Sequence, residues 1–225
     1  LHQAASSLRL GLNSAAINGA VNLLIHPSTT AMLQKAGMLA ADGRCKTLSP
    51  DADGYARSDA AGMALVTVPE AATGVSGRLV AVPLALIRGT AVNQDGRSST
   101  LTAPNGPAQQ EVMRGALRWA LAAAAEVTAL QMHGTGTPLG DPIEIGAAAA
   151  ALVEGRAEGN PLLLQAAKSW TGHAEPAAGM VGLMHTHAAL SARAALPIMH
   201  LGNVNAYVEG EMLCCGCGCG AIVRT

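Results

Sequence analysis

A histidine stands where an apolar segment gives way to a glycine-rich loop in the stretch QMHGTGTPLGDP. His133 is followed by Gly134 and Gly136, which allow unusual backbone angles and close approach of a ligand. Thr135 and Thr137 alternate with these glycines, and their hydroxyl groups can hydrogen-bond an amide-bearing substrate arm. A single histidine in such a loop is more often structural, so the chemical interpretation depends on a second feature.

That second feature is the stretch KSWTGHAEPAAG, which contains Lys168, Thr171 and His173. Thr171 can cap the helix predicted to follow it, which places His173 in the first turn, where the helix dipole disfavours the imidazolium form. A neutral imidazole can donate one N–H group to a developing oxyanion. Lys168 brings a positive charge near both histidines. Two histidines at strand-to-helix junctions, with a lysine five residues before the second, favour an active site over isolated surface residues.

The elements that must position these residues alternate between strands and helices. The predicted strands cover residues 15–25, 61–68, 79–92, 126–132 and 161–167, and the predicted helices cover residues 29–37, 107–124, 142–153 and 172–190. The first strand is predicted to be buried, and Pro83 predicts an edge or a bulge in the third. This alternation indicates an α/β fold, in which functional groups collect at strand-to-helix junctions.

Composition limits the classes of protein to which the chain can belong. Of its 225 residues, 50% are hydrophobic and 13% are charged, which indicates a globular chain with a sizeable core. A net charge of −1 gives no electrostatic reason to expect nucleic acid or an anionic membrane as a partner, and no apolar run is long enough for a membrane span. Because the chain has no Phe, we expect Ala, Leu, Val and Met to fill the core. Five cysteines without a disulfide pattern favour a reducing compartment.

Four stretches resemble the β-ketoacyl synthase (ketosynthase) domain of modular polyketide synthases and animal-type fatty acid synthases. They are residues 36–62, 88–117, 133–144 and 168–183, and the resemblance runs from about residue 1 to about residue 205. It implies a thiolase-like α/β fold, layered α-β-α-β-α, with an incomplete first half. Residues 1–90 would be the remainder of the N-terminal half and the connection, 91–205 the C-terminal half, and 206–225 a degenerate or irregular tail.

The resemblance also implies a reaction and a set of catalytic residues. In this family a cysteine receives an acyl chain from a carrier protein, a malonyl-type extender loses carbon dioxide, and the resulting enolate attacks the acyl-cysteine. His133 and His173 would stabilise the enolate oxygen, and Lys168 would maintain the electrostatics and hydrogen bonding of the pair. The family nucleophile lies just before a segment that resembles LHQAASSLRLG, which starts at Leu1 here. We therefore expect a fragment that lacks the nucleophile and has no condensing activity alone.

Further expectations follow from the same resemblance. Thr135 and Thr137 would contact the pantetheine arm, while Asp141 and Thr171 would support the site without contacting substrate. Cys45 matches a structural cysteine of the family. The substrates would be carried on the phosphopantetheine of an acyl carrier protein, with no bound cofactor. Adjacent synthase domains such as an acyltransferase would be partners, the complete protein would be a homodimer, and the location would be the cytoplasm, or a plastid in a photosynthetic eukaryote.

The sequence departs from the family pattern in places, and alternatives remain. Trp170 and Leu48 replace a smaller aliphatic residue and an aromatic residue. The tail CCGCGCGAIVRT stands where a Phe-Gly-rich motif is expected, so it is either a degenerate version of that motif or the product of a shifted reading frame.

A non-catalytic scaffold or chain-length partner is the main alternative function. A metal site of His185, His187, His200 and the tail cysteines is disfavoured because CCGCGC lacks the spacing of zinc ligands.

Overall fold

The computed structural model describes residues 1–68, 82–98, 103–153, 155–157, 159–209 and 220–222. The helices are α1 His2–Arg9, α2 Pro27–Lys35, α3 Gly106–Ala120, α4 Gly140–Ala148, α5 Lys168–Thr171 and α6 Ala178–Ala192. The strands are β1 Ala15–Asn22, β2 Ala60–Thr67, β3 Ala129–Gln131, β4 Leu162–Gln165 and β5 Gly220–Ile222. This mixture of helices and strands confirms the predicted α/β class.

A parallel sheet of three strands carries the loops that contain the predicted site residues. Its order is β3-β4-β5, with Ala129 paired to Leu163 and Leu163 paired to Ala221. The carboxyl ends of parallel strands lie at one edge of a sheet. The loop after β3 begins near His133, and the segment after β4 leads to Lys168, so the sheet brings two sequence-distant residues to the same edge.

The hydrophobic core lies around β4, α4 and the segment after α6. Its fully buried side chains include Leu162 of β4 together with Ile198, Leu201 and Val208. A π-helical turn, Ala149–Val153, continues α4 and adds small apolar side chains to this core. The core in the described residues is therefore built from Leu, Ile, Val, Ala and Met, in accordance with a sequence that has no Phe.

An antiparallel ribbon of β1 and β2 forms a second, two-stranded sheet, with Ile17 paired to Leu65 and Gly19 to Met63. The prediction of a buried strand over 15–25 is wrong in burial and in length, because β1 ends at Asn22 and its residues alternate between exposed and half-buried. The described residues cover the ribbon on one side only. There α6 approaches closely, since a Cβ atom on Gly62 of β2 would lie 2.7 Å from Met180.

Two further elements differ from the sequence predictions. Residues 82–92, predicted as part of a strand, have no regular secondary structure, and residues 79–81 of that prediction lie outside the described residues. The segment runs along α3 instead, because Gly89 lies so close that an added Cβ would be 2.2 Å from the carbonyl oxygen of Ala116. The helix predicted over 172–190 begins only at Ala178, after a 3-10 turn at Glu175–Ala177. None of the described helices has the length and apolar character needed to cross a membrane.

Candidate active site

His133 lies two residues beyond the end of β3, at the start of the loop after the strand, as the sequence predicts. Met132 extends the pairing of the strand by donating its N–H to the carbonyl oxygen of Gln165 at 2.8 Å. The backbone N–H groups of His133 and Gly134 both donate to the carboxylate of Glu144, at 2.5 and 2.9 Å. Since Glu144 belongs to α4, this contact ties the loop after β3 to the helix that the loop precedes.

Glu144 is a site residue that the sequence reasoning missed. Burial raises the pKa of its carboxyl group, while the hydrogen bonds from the backbone of Gly134 and His133 act in the opposite direction. The available signal was an acidic residue inside an otherwise apolar helical run, PIEIGAAAAALV. A carboxylate in such a run must find hydrogen-bond donors, and here it finds them at the histidine loop.

Lys168 fixes both the backbone and the ring of His133. It is the first residue of α5 and is only 7% exposed, so it is a buried charge rather than a solvated surface charge. Its Nζ donates to the carbonyl oxygen of His133 at 2.6 Å and lies 3.3 Å from Nδ1 of the same residue. An ammonium group can only donate, so Nδ1 accepts and the proton of the neutral ring resides on Nε2. Burial lowers the pKa of Lys168, and the nearby carboxylate of Glu144 opposes that shift.

His173 is held by the segment that precedes β2. Its N–H donates to the carbonyl oxygen of Ala56 at 2.7 Å, and its own carbonyl accepts from the N–H of Ser58 at 3.1 Å. Its Nδ1 accepts from the backbone N–H of Glu175 at 3.0 Å, which again leaves Nε2 as the protonated nitrogen. The Tyr55 ring packs edge-on against the imidazole at 5.1 Å between centroids.

The two histidines meet in one site. Their ring centroids are 5.3 Å apart and their planes are perpendicular. Burial, and then the positive charge of Lys168, lower the pKa of each histidine to about 4. Part of the His133 surface is open to solvent, but the surrounding protein still removes enough water from the ring to disfavour the charged form. Both rings are therefore neutral at pH 7, and each retains one N–H donor.

The loop after His133 is held by the carboxylate of Asp141. This buried carboxylate accepts from the N–H of Leu48 at 2.8 Å and from that of Gly136 at 3.2 Å. Burial raises the pKa of Asp141, and these hydrogen bonds oppose the shift. Leu48 adopts a left-handed conformation with φ +62°, which its bond to the carboxylate helps to stabilise.

The two threonines of the loop lie beside each other, with 3.4 Å between their hydroxyl oxygens. Thr135 is buried and Thr137 is half-buried, and Thr137 also accepts from the N–H of Gly140 at 3.2 Å. Gly136 between them has φ +77°, and a Cβ there would lie 2.6 Å from the backbone nitrogen of Lys46. The loop backbone thus approaches the segment around Lys46 more closely than any residue with a side chain would permit.

The structure corrects the predicted capping role of Thr171. This residue ends α5 and its hydroxyl donates to the carbonyl oxygen of Ala167 at 3.2 Å, whereas α6 begins seven residues later without a side-chain cap. The turn that contains Pro176 separates the two helices, so His173 lies ahead of α6 rather than in its first turn. Burial and then the positive charge of Lys168 lower the pKa of His173 in this position.

Cys45 and Trp170 lie near the site without entering it. Cys45 is buried, its sulfur accepts from the N–H of Ala56 at 3.3 Å, and burial raises the pKa of its thiol. A neutral, buried thiol is a poor nucleophile, as expected for a structural cysteine. Trp170 packs edge-on against His185, with 6.3 Å between ring centroids, and donates its indole N–H to the carbonyl oxygen of Pro197.

The tail cysteines lie outside the described residues, so the expectation against a metal site stays a prediction.

Comparisons with known proteins identify the family. Residues 1–72 match the family model "Beta-ketoacyl synthase, N-terminal domain", and residues 84–202 match the model "Beta-ketoacyl synthase, C-terminal domain". The chain belongs to the β-ketoacyl synthase family. His133, Lys168 and His173 all lie within the part of the ketosynthase chain that matches the C-terminal domain.

Related proteins agree with this assignment. The ketosynthase chain is 43% identical over 209 residues to polyketide synthase GfsA of Streptomyces halstedii, which covers 93% of the chain and 3% of that protein. It is 40% identical over 212 residues to erythronolide synthase EryA3 of Saccharopolyspora erythraea, covering 94% of the chain and 7% of the relative. The chain therefore spans a small part of the curated relatives that it matches.

Solved structures confirm the predicted thiolase-like fold. The oxazolomycin ketosynthase domain OzmH KS7 of Streptomyces albus JA3453 superposes with a TM-score of 0.88 at 32% identity, over 99% of the ketosynthase chain and 37% of that domain. The ketosynthase from module 6 of the bacillaene synthase of Bacillus subtilis 168 superposes with a TM-score of 0.84 at 26% identity, over 92% of the chain and 36% of the other.

Proposed function

We propose that the ketosynthase chain provides the two-histidine oxyanion site for decarboxylative Claisen condensation of an acyl chain with a malonyl-type extender, in polyketide or fatty acid biosynthesis. The observation that carries this proposal is the shared hydrogen-bonding state of His133 and His173. In both rings Nδ1 is occupied as an acceptor, and both pKa values are about 4. Two neutral Nε2–H donors on rings 5.3 Å apart can serve one oxygen atom between them.

The chemistry assigns these donors to the decarboxylation step. The bond between the extender carboxylate and its α-carbon breaks, carbon dioxide leaves, and the electron pair passes through the α-carbon to the thioester oxygen. Each donor aimed at that oxygen stabilises the developing negative charge by about 3–4 kcal/mol. The enolate carbon then attacks the acyl-cysteine carbonyl, and the cysteine leaves as a thiolate.

Neither Cys45 nor any Cys-Ser-Ser stretch in this sequence provides the nucleophilic cysteine. Cys45 is buried and bonded to the backbone of Ala56, and the 225 residues contain no Cys-Ser-Ser stretch. We therefore assign to this chain the histidine half of the reaction. Since neutral imidazole N–H groups supply the stabilisation, the proposal invokes no bound cofactor.

Recognition of the substrate arm is assigned to the threonines. Thr137 is the less buried of the two threonines, so we propose that its hydroxyl contacts the phosphopantetheine arm of an acyl carrier protein. The buried hydroxyl of Thr135 would position the Thr137 hydroxyl through their mutual contact. The neighbouring acyltransferase domain, the homodimer of the complete protein and the cytoplasmic or plastid location remain proposals of the same kind. Relatives that are bacterial polyketide synthases support the acyltransferase domain and the cytoplasmic location.

The test uses the decarboxylation step, which needs no cysteine. The 225-residue chain is incubated with a malonyl-pantetheine thioester, and the formation of the acetyl thioester is followed. We expect decarboxylation above the uncatalysed rate, and a fall of about 100- to 1,000-fold in the catalysed rate for His133→Gln or His173→Gln. His187→Gln is the matched control, because it makes the same replacement at a histidine outside the proposed pair, on α6, where the ring contacts Ser191. Absence of decarboxylation by the folded wild-type chain would favour the scaffold alternative.

A further inference from the structure

An ion pair next to the site has no part in the function proposed above. Arg57 donates from Nε to one carboxylate oxygen of Glu175 at 2.6 Å and from Nη2 to the other at 2.9 Å. Its remaining terminal nitrogen, Nη1, donates to the hydroxyl of Thr30 in α2 at 2.6 Å. The Arg57 side chain is only 8% exposed and that of Glu175 is 23% exposed. The two parallel hydrogen bonds fix both the position and the orientation of the Glu175 carboxylate.

Glu175 is held in a backbone conformation that it would not adopt by itself. Its φ angle is +44°, in the left-handed region, and it directly precedes Pro176, which restricts its backbone further. Such a conformation in a residue other than glycine costs on the order of 1–3 kcal/mol and persists only where the surroundings impose it. Among the contacts of Glu175, the bidentate contact with Arg57 is the one that holds its side chain in this conformation.

The conformation of Glu175 matters because its backbone N–H is the donor to Nδ1 of His173. The same short segment controls the histidine twice. Ala56 and Ser58 hold the His173 backbone on either side of Arg57, and the Arg57 side chain holds the residue that bonds to the ring. The arginine is thus connected to the imidazole through one ion pair and one backbone hydrogen bond.

We propose that Arg57 is a positioning residue that, through Glu175, keeps the His173 ring in the Nε2–H tautomer and in the orientation that faces His133. The consequence for catalysis depends on the proposed function, whereas the structural claim does not. Without the ion pair, Glu175 relaxes away from its left-handed conformation and its N–H leaves Nδ1. The ring can then rotate or exchange its proton between nitrogens.

The structural claim is tested by recording long-range ¹⁵N–¹H correlation spectra of the imidazoles in the 225-residue chain at pH 7. In the wild type we expect both His133 and His173 as pure Nε2–H tautomers. In Arg57→Gln we expect His173 to lose this pure state, while His133 keeps it because Lys168 still occupies its Nδ1. Glu175→Gln retains the size of the side chain and its backbone N–H, and it is expected to change His173 in the same way.

Controls separate this positioning role from general destabilisation. Arg88→Gln removes another arginine–glutamate contact, the exposed pair with Glu126, and is expected to leave both histidines unchanged. Arg57→Lys keeps the charge but not the fork, so it provides a milder variant if Arg57→Gln does not fold. A pure Nε2–H tautomer of His173 in the folded Arg57→Lys and Glu175→Gln variants would overturn the proposal.

The catalytic consequence is measured separately, as the decarboxylation of the malonyl-pantetheine thioester. We expect a fall of about 10- to 100-fold in kcat for Arg57→Gln with KM nearly unchanged, since the ring is displaced but the arm contacts remain. If the tautomer changes while the wild-type chain shows no decarboxylation, the proposed function fails and the positioning role stands. If decarboxylation depends on both histidines but Arg57→Gln changes neither kcat nor the tautomer, the positioning role fails alone.

Discussion

Nζ of Lys168 lies 2.6 Å from the carbonyl oxygen of His133 and 3.3 Å from its Nδ1, although 35 residues separate the two in sequence. The contact exists because β3 and β4 are adjacent parallel strands whose carboxyl ends meet at one edge. One buried lysine therefore holds a histidine by its backbone and by its ring at the same time.

Replacing this lysine tests its role. We expect Lys168→Met, which keeps the length of the side chain but loses the donor, to lower the decarboxylation rate by about 10- to 100-fold. The reason is that Nδ1 of His133 loses its fixed donor, so the Nε2–H tautomer and the ring orientation are no longer imposed. Lys35→Met, at the exposed end of α2, is the control. An unchanged rate and an unchanged His133 tautomer in Lys168→Met would contradict this role.

The pH dependence follows from the lowered pKa values of the two histidines, about 4 in the folded chain against an ordinary value of 6.5. Between these values the unfolded chain binds more protons, so the free energy of unfolding rises with pH through this window and falls as pH is lowered through it. We expect this dependence to weaken in His173→Gln, measured by urea unfolding at pH 7 and pH 5. The acid limb of the decarboxylation profile should lie near pH 4, and a limb near pH 6.5 would contradict the neutral pair.

The close approach at Gly136 predicts a steric effect that can be separated from backbone strain. Gly136→Ala places a Cβ 2.6 Å from the backbone of Lys46, whereas Gly11→Ala, at a similar φ of +69°, meets nothing within 4 Å. We expect Gly11→Ala to cost about 1–2 kcal/mol of unfolding free energy from its conformation alone. Gly136→Ala should cost clearly more in the same denaturant experiment, and equal costs would show that the loop relaxes freely.

The buried carboxylate of Asp141 predicts a loss of stability when it is removed. Asp141→Ala leaves the N–H groups of Leu48 and Gly136 without their acceptor, which we expect to cost about 3 kcal/mol of unfolding free energy. Asp141→Asn retains one acceptor oxygen and should cost less. The control is Asp51→Ala on an exposed carboxylate. A cost no larger than that of the control would show that this carboxylate does not hold the loop.

More of the candidate site than of the surrounding fold could be predicted from the sequence. Spacing and residue type pointed to His133, Lys168 and His173, because histidines at strand-to-helix junctions reach the same edge of a parallel sheet. The capping role of Thr171 was wrong because Pro176 creates a separate turn before α6. Local sequence patterns do not show that the backbone N–H of Glu175, in this turn, hydrogen-bonds to the His173 imidazole.

Elements whose environment depends on distant residues were predicted less well. Glu144 was missed because its partners are backbone N–H groups, which no residue pattern reveals. The buried character of β1 was wrong because an apolar, alternating strand does not show which of its faces will be covered. Residues 82–92 have the composition of a strand, but they pack along α3 and pair with no described strand.

The central claim is that two neutral histidines stabilise one enolate oxygen together, and the decarboxylation rates of the single and double histidine variants test it most directly. We predict that His133→Gln and His173→Gln each reduce the catalysed rate by about 100- to 1,000-fold, and that the double variant falls to the uncatalysed rate. His187→Gln should retain the wild-type rate. A single variant that retains the wild-type rate while folded would contradict the account, because one donor would then suffice for the oxyanion.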